Sequence, residues 1–236
     1  TDAPRRPDGP ATGAVLTLRV GAARTAALRA CALRHGVTLF HVLVAGYSVM
    51  LREVTGERDV VVGTPVSGRA LPGLADAVGM FVNTVCLRNQ VPDEASFAEF
   101  LRAVSNRAIE AFEHQDHPFD ALLPRLGRVP FDTMLALQRD TLTGEPFLGA
   151  AVRLAPDGPG ESMFDLNLQV HEAGDELHAS WEYRTAIFTE HTVRALFDRL
   201  LAVLDAVLAD PAAPLRHVLP DVTGAALAAP AIDFDF

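Results

Sequence analysis

The strictest pattern in this sequence is an alternation of apolar and polar residues on both sides of a short turn. Every second side chain is apolar from Phe164 to Val170 and again from Leu177 to Tyr183. Ala173–Gly174–Asp175 separates the two segments, and Gly and Asp favour tight turns. The pattern predicts a β-hairpin with one buried face, so the chain must contain a sheet that a second layer covers.

Four long segments have helical periodicity. The second of them is apolar on most faces, which predicts a helix buried between layers. Glycines follow the first two segments, and Ser or Thr precedes the last two, as is typical of helix ends and starts. The predicted helices are Ala22–His35, Leu39–Thr55, a segment from Ser96 to about Gln115 and a segment from Thr189 to about Ala209, with a short helix after Pro118.

Further strands are predicted from apolar runs, without strict alternation between strands and helices. This mixture favours an α+β fold, specifically a two-layer α/β sandwich with a mixed sheet and flanking helices. We expect one main domain over residues 14–219, a linker over residues 1–13 and a flexible tail over residues 220–236. The additional predicted strands are residues 14–20, Asp59–Thr64, Phe81–Arg88, Phe131–Gln138 and a segment near Ala150–Leu154.

Four segments carry a more specific signal when they are taken in order. Thr38–Arg69 ends in VVVGTPVSGR, Val78–Arg88 reads VGMFVNTVCLR, and His114–Asp120 reads HQDHPFD. The hairpin segment Phe164–Thr189 comes last. Together they resemble the C-terminal lobe of the condensation domains of nonribosomal peptide synthetases, and FVNT is typical of condensation members. The resemblance implies the chloramphenicol-acetyltransferase-like fold, in which two similar lobes pack in a V.

The sequence departs from this family at two places. The seventh family motif should precede Phe131, but only Gly127–Pro130 stands there. The HHxxxDG motif, which carries the chemistry in the family, does not occur in these 236 residues. We therefore expect no catalytic residue in this chain. It would be inactive alone, and the complete domain would form an amide bond between carrier-bound acyl groups.

The resemblance also implies a surface that faces the cleft between the two lobes. Gly79 would allow close backbone approach there, and Asn83 would hydrogen bond to neighbouring backbone. The alternative is that these segments only shape the core of the lobe. The candidate residues of the substrate tunnel and lobe interface are Gly63, Thr64, Pro65, Arg69, Gly79, Phe81, Asn83 and Gln115.

No other group of residues predicts catalysis or metal binding. His114 and His117 lie at a helix end, where HQDHPF is an architectural motif in the family, and the H-x-x-x-D string at His171 crosses the predicted hairpin turn. No serine has the nucleophile-elbow spacing, and no cluster has metal-ligand spacing. Cys31 and Cys86 lie in apolar segments, which favours free buried thiols over a disulfide.

Two segments have the character of partner surfaces. Thr141–Ser162 stands where the family sends a crossover to the other lobe, and its apolar members Phe147, Leu148 and Val152 would then face that lobe. An ordinary surface loop is the alternative. The terminal AIDFDF string resembles peptides that add a strand to the docking domain of the next synthetase subunit, with a frayed terminus as the alternative. The candidate docking residues are Ile232, Asp233, Phe234, Asp235 and Phe236.

Composition narrows the classes of partner. All 20 basic residues are Arg and the formal net charge is -10, which argues against a nucleic-acid surface. No apolar run approaches the length of a membrane helix, and the first residues lack an apolar signal-peptide region. We therefore expect no membrane contact and a cytoplasmic location.

The resemblance implies partners and no cofactor. The expected partners are the N-terminal lobe of the condensation domain, peptidyl carrier proteins and, through the tail, a downstream synthetase subunit. Substrates would be carried on the phosphopantetheine of the carrier proteins, and no metal is expected. Two other hypotheses stay open. One is a truncated, non-catalytic module that recruits a synthetase partner, and the other is a complete small acyltransferase that uses its own histidines between subunits.

Overall fold

A computed structural model describes the fold of residues 1–6, 9–69, 72–74, 76–139 and 160–218. Among the helices in these ranges, none by itself is long and apolar enough to cross a bilayer. Ala22–His35 and Leu39–Thr55 meet that criterion only as a pair bent by 106°.

Within the described residues, six strands form one mixed sheet. They are β1 (Gly13–Arg19), β2 (Asp59–Val66), β3 (Asn83–Gln90), β4 (Thr133–Arg139), β5 (Leu166–Ala173) and β6 (Glu176–Arg184). Their order is β1-β6-β5-β4-β2-β3. The central pairs β5–β4 and β4–β2 are parallel, and the other three pairs are antiparallel. This confirms the predicted mixed sheet. The strand predicted near Ala150–Leu154 lies outside the described residues.

The predicted hairpin is formed by β5 and β6. Leu168 lies directly opposite Trp181, and Val170 lies opposite Ala179, so apolar side chains face each other across the strands. All four are buried. Gly174 has a φ of 64°, the left-handed conformation that the tight turn requires. The alternation in sequence therefore becomes the buried face of the sheet.

Five α-helices accompany the sheet in the part of the chain that the structure describes. They are α1 (Ala22–His35), α2 (Leu39–Thr55), α3 (Phe97–Glu113), the single turn α4 (Leu123–Leu126) and α5 (Glu190–Ala209). The four long helices pack on the sheet face that carries Val62, Leu135, Leu168 and Trp181. This arrangement confirms the α+β class with flanking helices, and the bounds of α1 and α2 agree with their predicted bounds.

Helix α2 lies at the centre of the described fold. Every residue from His41 to Leu51 is buried, as its apolar faces predict. It crosses α5 so closely at Gly46 that a Cβ there would lie 2.4 Å from Leu204. Tyr47 packs edge-on against Trp181 with ring centroids 6.0 Å apart, and its hydroxyl lies 2.6 Å from the Thr133 hydroxyl. The helix therefore joins the helical layer to β4 and β6.

The N-terminus of α2 depends on a buried histidine. Thr38 accepts a hydrogen bond from the His41 amide, and the Thr38 amide donates to Nδ1 of His41 at 3.4 Å, which completes a capping box. Ser105 on α3 lies 3.1 Å from the same nitrogen. Because Nδ1 accepts the Thr38 bond, the imidazole must be unprotonated at that position. Burial accordingly lowers the pKa of His41.

We predict that His41 makes the stability of this chain depend on pH. The folded pKa lies below the ordinary value of 6.5, so the unfolded chain binds the proton first. The contribution of His41 to the free energy of unfolding should be fully present above pH 6.5. It should be lost as the pH decreases through the lowered folded pKa. Urea unfolding across this range checks the effect. His41→Gln keeps a capping-box side chain without the titration, so it should unfold with a weaker pH dependence, and an unchanged profile would contradict the assignment.

Candidate functional site

Asn83 connects the two strings that carry the resemblance. Its side-chain nitrogen donates to the main-chain carbonyls of Gln115 at 2.8 Å and His117 at 2.7 Å. Its side-chain oxygen accepts from the Phe119 amide at 3.0 Å. Both amide hydrogens and the carbonyl of this one side chain are therefore used. As a result, VGMFVNT and HQDHPFD form one surface, although the residues in contact lie 32 or more positions apart in the sequence.

The segment after α3 needs such a partner because its own backbone bonds are short-range. His114 is the C-cap of α3, and the His117 amide donates to the His114 carbonyl at 3.1 Å. Pro118 then precedes the 3-10 turn Phe119–Ala121. Among the described residues, Asn83 supplies the hydrogen-bond donors for the carbonyls of Gln115 and His117. Gln115 thus takes part through its main chain rather than its side chain.

Arg69 organises the loop between β2 and β3. Its guanidinium donates to the carbonyls of Leu74 at 2.5 Å, Ala77 at 2.7 Å and Gly79 at 3.1 Å. Its Cζ atom lies 4.4 Å from the centre of the Phe81 ring, in cation–π geometry. The planar, multiply donating arginine is suited to this arrangement in a way that lysine is not.

Gly68 explains why β3 begins at Asn83 and not at the predicted Phe81. It has a φ of 63°, and a Cβ at this position would lie 1.9 Å from the Phe81 carbonyl oxygen. The chain after Val66 therefore turns away from the β2–β3 ladder, whose last pair is Val66 with Asn83. Phe81 packs under Arg69 and lies outside the strand.

A strip of apolar side chains is exposed on the same loop. We define the apolar strip as Val78, Met80 and Val82, whose exposed fractions are 103%, 89% and 56%. They alternate with Gly79, which accepts from Arg69, and Phe81, which stacks on it. Exposed apolar groups on backbone that is fixed by hydrogen bonds mark an interaction surface.

The three candidate residues on β2 do not share one surface. Thr64 is buried at 2% exposure on the helix-facing side of the sheet. Gly63 lies on the opposite side under the Phe131 ring, which a Cβ would approach to 2.5 Å. Pro65 is exposed. Of the predicted set, the structure therefore brings together Arg69, Gly79, Phe81, Asn83 and the backbone of Gln115.

Three phenylalanines pack together on the sheet face opposite the long helices. The sequence patterns did not indicate this cluster. Phe131 packs between Phe119 and Phe164, with centroid distances of 5.6 and 5.7 Å. It covers Gly63 on the sheet face opposite the long helices. In the sequence, Phe131 and Phe164 each begin a predicted strand segment, whereas the structure places each of them two residues before its strand.

Three histidines and two cysteines are singled out by the sequence. His114 and His117 are exposed, and His171 lies within β5 directly opposite His178 while Asp175 lies in the turn. Cys31 and Cys86 are free thiols, and burial raises the pKa of Cys86 to about 11. Over the described ranges, no three His, Cys, Asp or Glu side chains are placed to hold a metal ion.

Two predicted partner segments stay predictions. Residues 141–159 and the tail Ile232–Phe236 lie outside the described residues. The described part of the site is therefore a preorganised surface with hydrogen-bonded backbone and exposed apolar side chains.

Comparison with known proteins identifies similar chains. A family model described as Condensation domain matches residues 1–227. Tyrocidine synthase 2 of Brevibacillus parabrevis is 37% identical over 232 residues, which cover 92% of this chain. Among solved structures, a four-domain nonribosomal peptide synthetase bound to AMP and glycine has a TM-score of 0.80 at 21% identity. The first condensation domain of the CDA synthetase has a TM-score of 0.72 at 24% identity.

The alignments cover most of this chain but only part of each relative. The structural matches cover 91% and 87% of this chain and confirm the predicted fold. They cover only 19% of the four-domain synthetase chain and 47% of the CDA condensation-domain chain. The chain spans 6% of the length of tyrocidine synthase 2.

Proposed function

This chain belongs to the Condensation domain family, and we propose that it is the C-terminal half of a condensation domain from a nonribosomal peptide synthetase. The complete domain would join two acyl groups that peptidyl carrier proteins present as phosphopantetheine thioesters. The amine nitrogen of one substrate would attack the thioester carbonyl of the other, the amide carbon–nitrogen bond would form as the carbon–sulfur bond breaks, and the proton lost by the amine would end on the released phosphopantetheine thiol.

Two observations support a half-domain. The chain covers 47% of the CDA condensation-domain chain while 87% of its own length is aligned. Its sequence has no adjacent pair of histidines among the eight present. We infer that the group that positions or deprotonates the amine is supplied by the N-terminal lobe, and that these residues alone do not catalyse condensation.

The apolar strip carries the proposal, because it is exposed on a loop that Arg69 and Asn83 fix in place. Three large apolar side chains in water are unfavourable unless another surface covers them. We propose that the N-terminal lobe covers this strip and that Arg69, Gly79, Phe81 and Asn83 form one wall of the substrate tunnel. Their hydrogen bonds would give the tunnel wall a defined shape before substrate binds.

Reconstitution from two halves tests the proposal. This chain is mixed with the N-terminal lobe of a related condensation domain and two carrier proteins loaded with aminoacyl thioesters. We expect no amide product from this chain alone and product when both lobes are present. A second sample with the HHxxxDG histidines replaced by alanine should lose the product. Turnover by this chain alone would contradict the proposal.

A charge placed in the apolar strip should prevent pairing of the lobes. We predict that Met80→Asp weakens binding of the N-terminal lobe at least about tenfold, because an unpaired carboxylate would be buried in the interface. Isothermal titration of the two lobes measures this. Leu33→Asp is the matched control, because Leu33 is 84% exposed on α1, outside the site. Equal affinities for the two variants would remove the strip from the interface.

The same experiments separate the alternatives. A recruiting module would bind a synthetase subunit without reconstituting activity, and deletion of Ala231–Phe236 would show whether the tail provides the contact. An acyltransferase with its own base would form product without the second lobe. It would lose that product in the series His114→Ala, His117→Ala and His171→Ala.

A further inference from the structure

The N-terminal segment, defined as residues 1–6 and 9–13, contacts the lobe at three separate places. We propose that this segment is a docked element of the lobe rather than a free linker, and that Asp2 and Arg5 are the residues that dock it. The contacts join residues that lie 127 or more positions apart in the chain, so they depend on the finished fold.

The first contact is at the N-terminus of α5. The Asp2 amide donates to the Ile187 carbonyl at 2.8 Å. The Asp2 carboxylate accepts from the Thr189 amide at 2.6 Å and from the Thr192 hydroxyl at 2.7 Å. Burial opposes the charged form of Asp2, but the bonds from Thr189 and Thr192 outweigh it and lower its pKa. A carboxylate at this position also interacts favourably with the helix dipole.

The second contact is a charged cluster at the starts of β4 and β5. Arg5 donates from Nε to Asp165 at 2.5 Å and lies 3.1 Å from Asp132 through Nη2. Arg184 lies 3.3 Å from the other Asp165 oxygen, and the Asp165 side chain is only 9% exposed. Burial raises the pKa of Asp132, and Arg5 opposes that shift. The Asp165 side chain is nearly buried and the Asp132 side chain is 29% exposed, so both carboxylates are stabilised by a nearby cation, and Arg5 reaches both.

The third contact is made by backbone just before β1. The Ser162 amide donates to the Ala11 carbonyl at 2.7 Å, and the Thr185 amide donates to the Thr12 carbonyl at 2.9 Å. Thr12 also pairs with Glu161 in an isolated antiparallel bridge. The approach is close, because a Cβ on Gly13 would lie 2.9 Å from the Ser162 nitrogen.

Arg5 and Arg6 provide a comparison within the segment. Arg5 is partly buried between two carboxylates, whereas Arg6 is exposed. The two adjacent arginines carry the same charge, but only Arg5 lies between carboxylates of the fold. Where the proposed function holds, the chain that joins the two lobes reaches this lobe beside the N-terminus of α5, so Asp2 and Arg5 would determine how the lobes are oriented. Docking itself does not depend on that function.

Amide hydrogen exchange on the full chain tests the docking. The reporter amides are Asp2, Thr185 and Thr189, and the internal reference is the set of α2 core amides. In the unaltered chain we expect the reporters to be protected. Arg5→Ala should accelerate their exchange roughly tenfold or more, as loss of a hydrogen bond to a charged group does, with no change in α2. Arg5→Lys should restore little, because one ammonium lacks the fork that reaches both carboxylates.

Arg6→Ala is the matched control and should leave every reporter unchanged. Equal exchange in Arg5→Ala and Arg6→Ala would overturn the proposal, as would unprotected Asp2 and Thr189 amides in the unaltered chain. The latter measurement needs no variant, so it decides the question even where Arg5→Ala does not fold. Protected reporters together with a failed reconstitution would refute the proposed function and leave the docking intact.

Discussion

Exchanging Asn83 for aspartate is expected to lower the free energy of unfolding by about 1–3 kcal/mol and to release the HQDHPFD segment from β3. Aspartate has nearly the same shape and still accepts from the Phe119 amide. It cannot donate, so the carbonyl oxygens of Gln115 and His117 would face a carboxylate at the distances of 2.8 and 2.7 Å where they now accept hydrogen bonds. Two attractive contacts thereby become repulsive.

Urea unfolding of the Asn83→Asp variant measures the stability change, and exchange of the Phe119 amide measures the local release. Gln90→Glu is the control, because it makes the same amide-to-acid change at the exposed end of the same strand. We expect its stability to change by no more than about 0.5 kcal/mol. In the reconstituted domain, Asn83→Asp should also reduce amide formation. An Asn83→Asp variant that is as stable as Gln90→Glu would show that the three bonds do not connect the motifs.

Replacing Glu53 by alanine is expected to cost about 3–5 kcal/mol, the largest effect of any single change considered. Glu53 on α2 forms an ion pair with Arg199 on α5, and their side chains are 7% and 31% exposed. Burial lowers the pKa of Arg199, which reflects the cost of its charge at this position. Removing the carboxylate leaves that charge between two helices without its partner.

A double replacement distinguishes the pair from simple packing. Glu53→Met with Arg199→Met removes both charges and keeps the apolar volume, so it should recover most of the lost stability. Arg194→Ala removes the exposed pair with Glu190 on the same helix, whose side chains are 48% and 63% exposed. That loss should be about 0.5 kcal/mol or less. Thermal unfolding of the unaltered chain, Glu53→Ala, the double methionine variant and Arg194→Ala provides the comparison. A double variant as unstable as Glu53→Ala would contradict the ion-pair account.

Most of the fold was predictable because its elements are defined by local spacing. Period-two alternation specifies β5 and β6, and helical periodicity with a following glycine specifies the ends of α1 and α2. The start of β3 was predicted wrongly at Phe81. An apolar run does not reveal that Gly68 turns the preceding strand away, which leaves Phe81 to stack on Arg69.

The site was predictable only through the resemblance. Periodicity does not indicate that Arg69 binds three carbonyls of its own loop, or that Gln115 contributes a main-chain oxygen. Thr64 was placed with the site, but it lies on the helix-facing side because β2 alternates, and Pro65 is the exposed neighbour. Asp2 and Arg5 carried no signal, because one acidic and one basic residue near a terminus are typical of solvated chain.

The sequence by itself determined which segments are strands and helices, which of their faces are apolar, and which family they resemble. These properties follow from residues within a few positions of each other. The tertiary structure alone decided that Asn83 joins β3 to the segment after α3, that Arg5 lies between Asp132 and Asp165, and that Val78, Met80 and Val82 are left uncovered. Such contacts join residues far apart in sequence, and they form only when the whole sheet brings the strand ends together.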